Sequence, residues 1–341
     1  MMGIVMKKVS LSVAALVAIS LSTGAASAAD LPAKIYKKAT VVAAFDPWDI
    51  AFGSAIMSDY VFRGVTQSAH KPSVTAYFEP RYNINKDLQL YVGSSFESIS
   101  FPNRAAAEVD IYGGIRPTFG AFAFDFGVWG YLYPGGQCFG SNGAPALPGQ
   151  GVCNGTDFGV TGGLPFNGNF AKKDASFYEV YGKVNYTFND NFAMGGNVYY
   201  SPNFLNTGAN GTYASITGKY TAPSTVLPWG MGAYVSGEFG RQWLGTPGAF
   251  YNIPSAFFGN PLTGKYADYN TWNLGVGFTK SVFTLDLRYS DTNLSKANCN
   301  YFTSDYTTTT AIAPGVFTSN WCGATFIAKL GVDLTAMTNL K

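Results

Sequence analysis

The sequence alternates between apolar and polar residues in a dozen short segments, and this pattern limits what the chain can fold into. Successive side chains of a β-strand point to opposite faces, so each segment predicts a strand with one apolar and one polar face. In the first segment the apolar positions are Ile50, Phe52, Ile56, Tyr60 and Phe62, and the polar ones include Asp49, Asp59 and Arg63. The other predicted strands begin at or lie near Val74, Leu88, Val109, Phe122, Tyr178, Phe192, Ile216, Trp229, Trp272, Phe283 and Ala324.

Short and long connections alternate between these predicted strands. The short ones are 83–86, Gly120, 189–191, 222–228 and 281, and the long ones are 64–71, 99–105, 134–174, 202–210, 242–267 and 292–322. Outer-membrane β-barrels join their strands in this way, with short periplasmic turns and longer loops outside. The ordering predicts an even number of strands and places both chain termini in the periplasm.

The composition favours a membrane barrel over a soluble sheet protein. Only 12% of the residues are charged and 16% are aromatic, whereas a soluble domain carries about 25% charged residues. We predict an all-β fold: a transmembrane antiparallel up-and-down β-barrel of about 12 strands, with short periplasmic turns and long extracellular loops. The alternative is a soluble β-sandwich, in which the apolar faces would share a protein core instead of meeting lipid.

The N-terminus has the pattern of an export signal. Two lysines, Lys7 and Lys8, precede an apolar stretch over 9–24, and Ala26-Ser27-Ala28 fits a cleavage site. We therefore predict a signal peptide over 1–28 and location in the cell outer membrane. An uncleaved N-terminal membrane anchor is the alternative.

The domain organisation follows from that cleavage site. We predict a periplasmic N-terminal segment over 29–48 and one barrel over 49–341. Residues 1–28 contain two lysines and no acidic residue, so the mature chain has 20 basic and 20 acidic residues. This balance gives no support to a nucleic-acid partner.

Four cysteines fall in two local pairs, Cys138 with Cys153 and Cys299 with Cys322. Export to an oxidising compartment favours a disulfide within each pair. Four free thiols are the alternative. Both pairs lie in long connections, where a disulfide restricts the unfolded loop.

Charged residues on the polar faces indicate what the barrel encloses. Ionised groups facing hydrocarbon cost about 2–4 kcal/mol near the bilayer midplane, so we predict that they face the lumen. The predicted lumen-lining residues are Asp59, Arg63, Glu79, Arg81, Glu97, Asp110, Arg116, Asp125, Glu179, Lys183, Asp286, Arg288 and Lys329. They line a narrow wet passage or pair across the interior and plug it, and twelve strands are compatible with both.

No arrangement of residues points to catalysis. The chain has one histidine, His70, in the first long connection, and no serine is pre-oriented beside it. We interpret His70 as a solvated loop residue. Neither a glycine-rich phosphate loop nor an acidic cluster with metal-ligand spacing is present in the sequence. We therefore predict no enzyme activity, no cofactor and no metal site.

Several segments resemble the TorF-type porin family of outer-membrane proteins. The most specific of them is Ser58-Asp59-Tyr60-Val61-Phe62-Arg63-Gly64-Val65-Thr66-Gln67-Ser68, followed by 108–114, 125–127, 131–135, 178–181 and 199–204. The resemblance extends over roughly residues 50 to 290. It implies a barrel and a pore, but no defined substrate.

These patterns together predict an outer-membrane porin. We expect passive diffusion of small hydrophilic solutes or ions through a narrow polar lumen, with membrane lipid around the barrel. The alternative is a plugged structural or surface-interaction barrel whose outer loops contact ligands and which transports nothing. A continuous open lumen would support transport, whereas a network of salt bridges from wall to wall would support anchoring.

Overall fold

The computed structural model describes residues 47–136, 171–248, 251, 264–305, 307–308, 311–313 and 316–339. Its strands are β1 (Trp48–Met57), β2 (Val61–Phe62), β3 (Val65–Thr66), β4 (Ser73–Asn85), β5 (Leu88–Glu97), β6 (Glu108–Phe119), β7 (Phe122–Leu132), β8 (Phe177–Thr187), β9 (Phe192–Ser201), β10 (Gly211–Thr221), β11 (Gly232–Leu244), β12 (Tyr269–Lys280), β13 (Phe283–Thr292), β14 (Ala311–Ala313), β15 (Val316–Phe317) and β16 (Thr325–Thr335). Two short helices are α1 (Lys296–Thr303) and α2 (Ala336–Asn339). Single 3₁₀ turns cover Phe204–Asn206 and Pro228–Gly230.

The twelve long strands form a closed antiparallel barrel in the order β1-β16-β13-β12-β11-β10-β9-β8-β7-β6-β5-β4. Strand β1 closes it, because Ile56 lies opposite Val74 of β4 on one side and Leu330 of β16 on the other. The predicted fold class is therefore confirmed, and the alternative of an open sandwich is wrong. Among the described residues, no helix is long and apolar enough to cross a membrane.

The outer surface of the barrel is apolar and the inner surface is polar. Strand β13 shows the alternation clearly. Phe283, Leu285 and Leu287 are exposed, while Asp286 and Arg288, at alternate positions of the strand, are buried. Strands β4 and β5 repeat the pattern, with buried carboxylates beside exposed aliphatic and aromatic side chains. Such an exposed apolar band is stable against lipid, and a closed barrel leaves no strand edge unpaired there.

Short and long connections alternate as predicted, except that the turn 222–231 is slightly longer than the link 202–210. Between the barrel strands, the short turns are 86–87, 120–121, 188–191, 222–231 and 281–282, and the long links are 58–72, 98–107, 133–176, 202–210, 245–268 and 293–324. We call the two ends of the barrel the short-turn end and the long-link end. Residues 1–46, with the predicted signal peptide and most of the N-terminal segment, lie outside the described residues.

One of the two predicted disulfides is present. The sulfurs of Cys299 and Cys322 are bonded, with their Cα atoms 5.9 Å apart, and the bond closes part of the link 293–324. The other predicted pair, Cys138 and Cys153, lies outside the described residues.

The first predicted strand is wrong beyond Met57. Strand β1 ends there, and the chain turns inward to form the β2–β3 hairpin, so Tyr60 and Phe62 do not face lipid and Tyr60 is only 2% exposed. The reversal occurs at Arg63 and Gly64, which both have positive φ angles, and glycine adopts this conformation at little cost. The period-two pattern continues through the hairpin, because its strands also alternate.

Two prolines interrupt the pairing of their strands, as the absence of a backbone N–H in proline predicts. Pro80 of β4 pairs with Ile50 of β1 but has no partner in β5, and Pro117 of β6 pairs with Leu88 of β5 but has no partner in β7. A proline has no backbone N–H and therefore cannot donate to the ladder. Each therefore lies where its strand is bonded to one neighbour only.

Inside the wall, several tyrosine rings lie over glycines of the neighbouring strand. The ring of Tyr234 covers Gly277, its direct partner in β12, and the ring of Tyr112 covers Gly93, its partner in β5. A Cβ atom at either glycine would overlap the ring. The glycines thus provide the space that large side chains need in the lumen.

We expect Gly277→Ala to destabilise the barrel by about 1–3 kcal/mol, because the new methyl group overpacks against Tyr234. Gly218→Ala is the matched control, since a Cβ atom at Gly218 has nothing within 4 Å. Urea unfolding in lipid vesicles, followed by tryptophan fluorescence, measures both changes. Equal losses in the two variants would contradict the packing argument.

Candidate functional site inside the barrel

The β2–β3 hairpin crosses the lumen and is attached to the far wall. The guanidinium of Arg63 donates to both carboxylate oxygens of Glu179 at 2.8 Å and to Oε1 of Gln242 at 3.0 Å. The hairpin leaves the wall between β1 and β4, whereas Glu179 is on β8 and Gln242 on β11. Strands β5, β6 and β7 separate β8 from β4, and β16, β13 and β12 separate β11 from β1. Arg63 therefore connects opposite sides of the barrel.

Aromatic rings surround this charge pair. The Arg63 guanidinium carbon lies 4.4 Å from the ring centroid of Tyr213, 4.5 Å from that of Phe62 and 4.9 Å from that of Tyr199. The side chains of Arg63 and Glu179 are only 4% and 0% exposed. Removing one partner of such a buried pair typically costs about 3–5 kcal/mol, because the other charge is left uncompensated. The tip of the hairpin is thus attached to the far wall through the side chain of Arg63.

The base of the hairpin is organised by Asp59. Its carboxylate accepts hydrogen bonds from the hydroxyls of Thr66 at 2.5 Å and Ser68 at 2.9 Å, and from Nδ1 of His70 at 2.7 Å. The backbone N–H of Thr66 also donates to the carbonyl of Trp321 at 2.8 Å. The hairpin is therefore bonded to the link 293–324, the one that the disulfide closes.

His70 is more constrained than the sequence suggested. Its side chain is 39% exposed, yet Nδ1 contacts Asp59 and Nε2 lies 2.8 Å from the carbonyl oxygen of Asn320. Because both partners accept hydrogen bonds, the protonated imidazole fits this position. Accordingly, the hydrogen bond to Asp59 raises the pKa of His70, with smaller contributions from Asn320 and the charge of Asp305. Among the described residues, the two ring nitrogens contact Asp59 and the carbonyl of Asn320, and neither contact is with a serine hydroxyl.

Four of the predicted lumen-lining residues form a charged patch on one side of the wall. Glu79 accepts hydrogen bonds from Arg81 at 2.6 Å and from Arg116 at 2.8 Å, and Arg116 also reaches Asp125 at 3.2 Å. These residues come from β4, β6 and β7. Glu79 and Arg81 pair within β4, and the other two ion pairs run along the wall between nearby strands.

A second patch lies on β11 to β13. Arg288 donates to Asp286 at 3.0 Å and to the hydroxyl of Ser236 at 2.8 Å, and it also bonds Asn273, which in turn donates to Glu238. Asp286 lies on the same strand as Arg288, and the other partners lie on β11 and β12.

A third group contains only carboxylates. Oxygens of Glu97, Glu108 and Asp110 all lie within 4.8 Å of one another, and all three residues are buried. The hydroxyl of Tyr60 donates to Glu108 at 2.5 Å, while Ser95 lies between Glu97 and Asp110. The sequence analysis identified no acidic cluster, because the spacing along the chain does not show that β5 and β6 align these positions.

The remaining predicted residues occupy separate places. Lys183 lies 4.9 Å from the ring centroid of Tyr181, and Lys329 lies opposite Asp286 in the ladder between β13 and β16. Asp59 and Arg63 belong to the hairpin instead of the wall. That these side chains line a passage stays a prediction.

The predicted lumen-lining residues did not include three residues of this site: Glu238 of the second patch, Gln242 and Glu108. Gln242, which is fully buried, bonds Arg63, and Glu108 belongs to the carboxylate group. Glu108 has the same parity in its strand as Asp110, so the alternation alone could have identified it. Gln242 could not have been found, because it lies outside the predicted strand and its partner was assigned to the wall.

We expect the contribution of His70 to stability to depend on pH. The pKa is raised in the folded state, so the stabilisation is complete below the unfolded-state pKa of about 6.5 and is lost as the pH rises through the folded-state pKa. His70→Gln should therefore lower the thermal unfolding midpoint more in acidic than in alkaline buffer. Thermal unfolding midpoints of the wild type and of His70→Gln, measured across this pH range, test the prediction. A difference that is independent of pH would contradict the bridge to Asp59.

Comparisons with known proteins identify one family and several distant barrels. Residues 42–146 match the model of a family described as "Bacterial protein of unknown function (Gcw_chp)". No curated protein matches the chain. The TorF-type resemblance carries a different label and stays a prediction.

Among solved structures, the chain is similar to the COG4313 outer membrane channel of Pseudomonas putida F1, with 11% identity, coverage of 88% of this chain and 100% of that one, and a TM-score of 0.38. It is also similar to OprB of Pseudomonas putida, with 9% identity, coverage of 84% and 93%, and a TM-score of 0.37. LpxR of Salmonella typhimurium has 8% identity, coverage of 83% and 99%, and a TM-score of 0.37. These similarities are too distant to assign an activity to this chain.

Proposed function

We propose that this protein is an outer-membrane channel for small solutes, and that the β2–β3 hairpin constricts its lumen. The long-link end faces the outside and the short-turn end the periplasm, with export directed by residues 1–28. One observation carries the proposal: the element that connects opposite sides of the barrel is a hairpin on a connecting link, not a barrel strand. A link can move while the wall keeps its hydrogen bonds.

The charged patches on the wall support this proposal. In both patches the ion pairs join residues of the wall itself, within one strand or between nearby strands, so neither patch needs the hairpin for compensation. Ionised groups that compensate one another along the wall can border a hydrated passage without pairing across it. The mixture of acids and bases favours weak ion selectivity.

A second candidate function is a plugged structural or surface-interaction barrel. The bonds from Arg63 to Glu179 and Gln242 favour it, because they join opposite walls through groups that have almost no exposed surface. In that case the long links would contact ligands and the lumen would stay shut. The two candidates differ in whether the hairpin can be released.

Single-channel recording in planar bilayers distinguishes them. We expect small conductance steps from the wild type and steps several-fold larger from a variant in which a short Gly-Ser linker replaces residues 59–71. The double variant Arg63→Met/Glu179→Gln should also conduct more, because it releases the tip without leaving an uncompensated buried charge. Lys86→Met is the control, since Lys86 is an exposed cation in a short turn.

Folding of each variant is checked by its heat-dependent mobility in gels. If the folded linker variant conducts no better than the wild type, the hairpin is not the constriction. Absence of conductance in all folded variants would favour the plugged barrel and contradict the channel.

A further inference from the structure

A cavity lies between the hairpin and the long links, on the side of the hairpin away from the short-turn end. It contains about 860 Å³ of empty space, part of it open to solvent. Aromatic side chains line much of its wall, among them Phe62, Phe101, Tyr133, Phe177, Phe302 and Trp321. A solute entering from the long-link end would reach this cavity before the hairpin.

Packing between the rings keeps the wall of this cavity in place. The rings of Phe101 and Tyr133 stack with centroids 4.7 Å apart, and those of Tyr131 and Phe177 stack at 4.4 Å. Stacked rings have few rotamers available, so the cavity is pre-formed. The face of an aromatic ring carries negative potential and attracts cations.

One side of the cavity is acidic. Glu108 lines it, and the carboxylates of Glu97 and Asp110 lie directly behind. Within the part of the chain that the structure describes, no arginine or lysine forms an ion pair with these three residues. The positive charge of Lys329 is near enough to attract the carboxylate of Glu97 electrostatically. Ionised carboxylates this close together repel one another, so a cation bound beside them would be favoured because it offsets that repulsion.

The carboxylate oxygens of this group have acceptor sites that the protein's own hydrogen bonds do not use. Oδ1 of Asp110 is buried and has no hydrogen-bond partner, although Oδ2 accepts from Ser95 at 3.1 Å. Glu108 accepts from the hydroxyls of Tyr60 and Tyr133, and a carboxylate has about four acceptor sites. An additional donor can therefore bind here without breaking a bond of the protein.

The other residues that line the cavity limit which class of cation it can bind. Among the described lining residues, Lys172 is the only cation, and its Nζ donates to the carbonyl of Asn206 at 2.7 Å. Ring carbons are poor ligands for an inorganic cation. Calcium, for example, prefers six or more oxygen ligands. An ammonium group on an apolar body fits both the carboxylate and the rings.

We propose that this cavity binds small aromatic amines in their ammonium form, with the ammonium group at Glu108 and the aromatic body against the rings. The inference rests on the proposed channel function and names the class of solute that the channel would accept. The site acts as a vestibule: it concentrates the cation at the long-link side of the hairpin.

Calorimetric titration of the full-length protein in detergent tests the proposal with three probes of one shape. These are 2-phenylethylamine, the neutral 2-phenylethanol and the anionic phenylacetate, all in mildly alkaline buffer. We expect the amine to bind about tenfold more tightly than the alcohol, which corresponds to one desolvated cation–π or ionic contact, and phenylacetate not to bind.

Two variants separate the acidic side from the rings. Glu108→Gln should lower the affinity for the amine about tenfold, to that of the alcohol, and leave the alcohol unchanged. Phe302→Leu should weaken both. Asp87→Asn is the control, because it removes an exposed carboxylate at the short-turn end and should change neither affinity.

Equal affinities for amine and alcohol, or an unchanged amine affinity in Glu108→Gln, would overturn the proposal. Binding is measured without a membrane, so it does not depend on transport. A protein that binds the amine but never conducts contradicts the channel alone, and one that conducts but does not bind the amine contradicts this inference alone.

Discussion

The structure depends on the need of every backbone N–H and C=O group in lipid to find a partner within the chain. Water cannot satisfy these groups in hydrocarbon, so a sheet must close on itself. Here β1 provides the closure by pairing with β16 and β4. Closure then sets the chemistry of both surfaces, because the same alternation that turns Leu285 and Leu287 to lipid turns Asp286 and Arg288 inward.

Charges enclosed in this way must be compensated inside the barrel, and the chain does so by two arrangements. On the wall, partners come from nearby strands, as with Glu79 and Arg116, so they are fixed by the strand register. Across the lumen, the hairpin brings Arg63 to Glu179. The first arrangement stabilises the wall itself, whereas the second joins the wall to a connecting link and is the one that a change in the lumen can break.

The sequence was sufficient to predict the strands, their number and the alternation of short and long links. Each of these depends on local periodicity, which is read along the chain. It could not predict that β1 ends at Met57, because Tyr60 and Phe62 continue the same alternation in a hairpin that packs in the lumen. It also could not predict which carboxylates meet, since Glu97 and Glu108 become neighbours only through the pairing of β5 with β6.

The hairpin has a different role on each of its two sides. Toward the short-turn end lie wall patches whose acids and bases compensate one another, and toward the long-link end lies an aromatic cavity whose acids do not. Among the described residues, these three carboxylates without an ion-pair partner therefore lie on the side that an incoming solute meets first. Since Tyr60 of the hairpin segment donates to Glu108, and Phe62 and Thr66 line the cavity, any movement of the hairpin changes the cavity as well. The constriction and the vestibule are for this reason one structural unit.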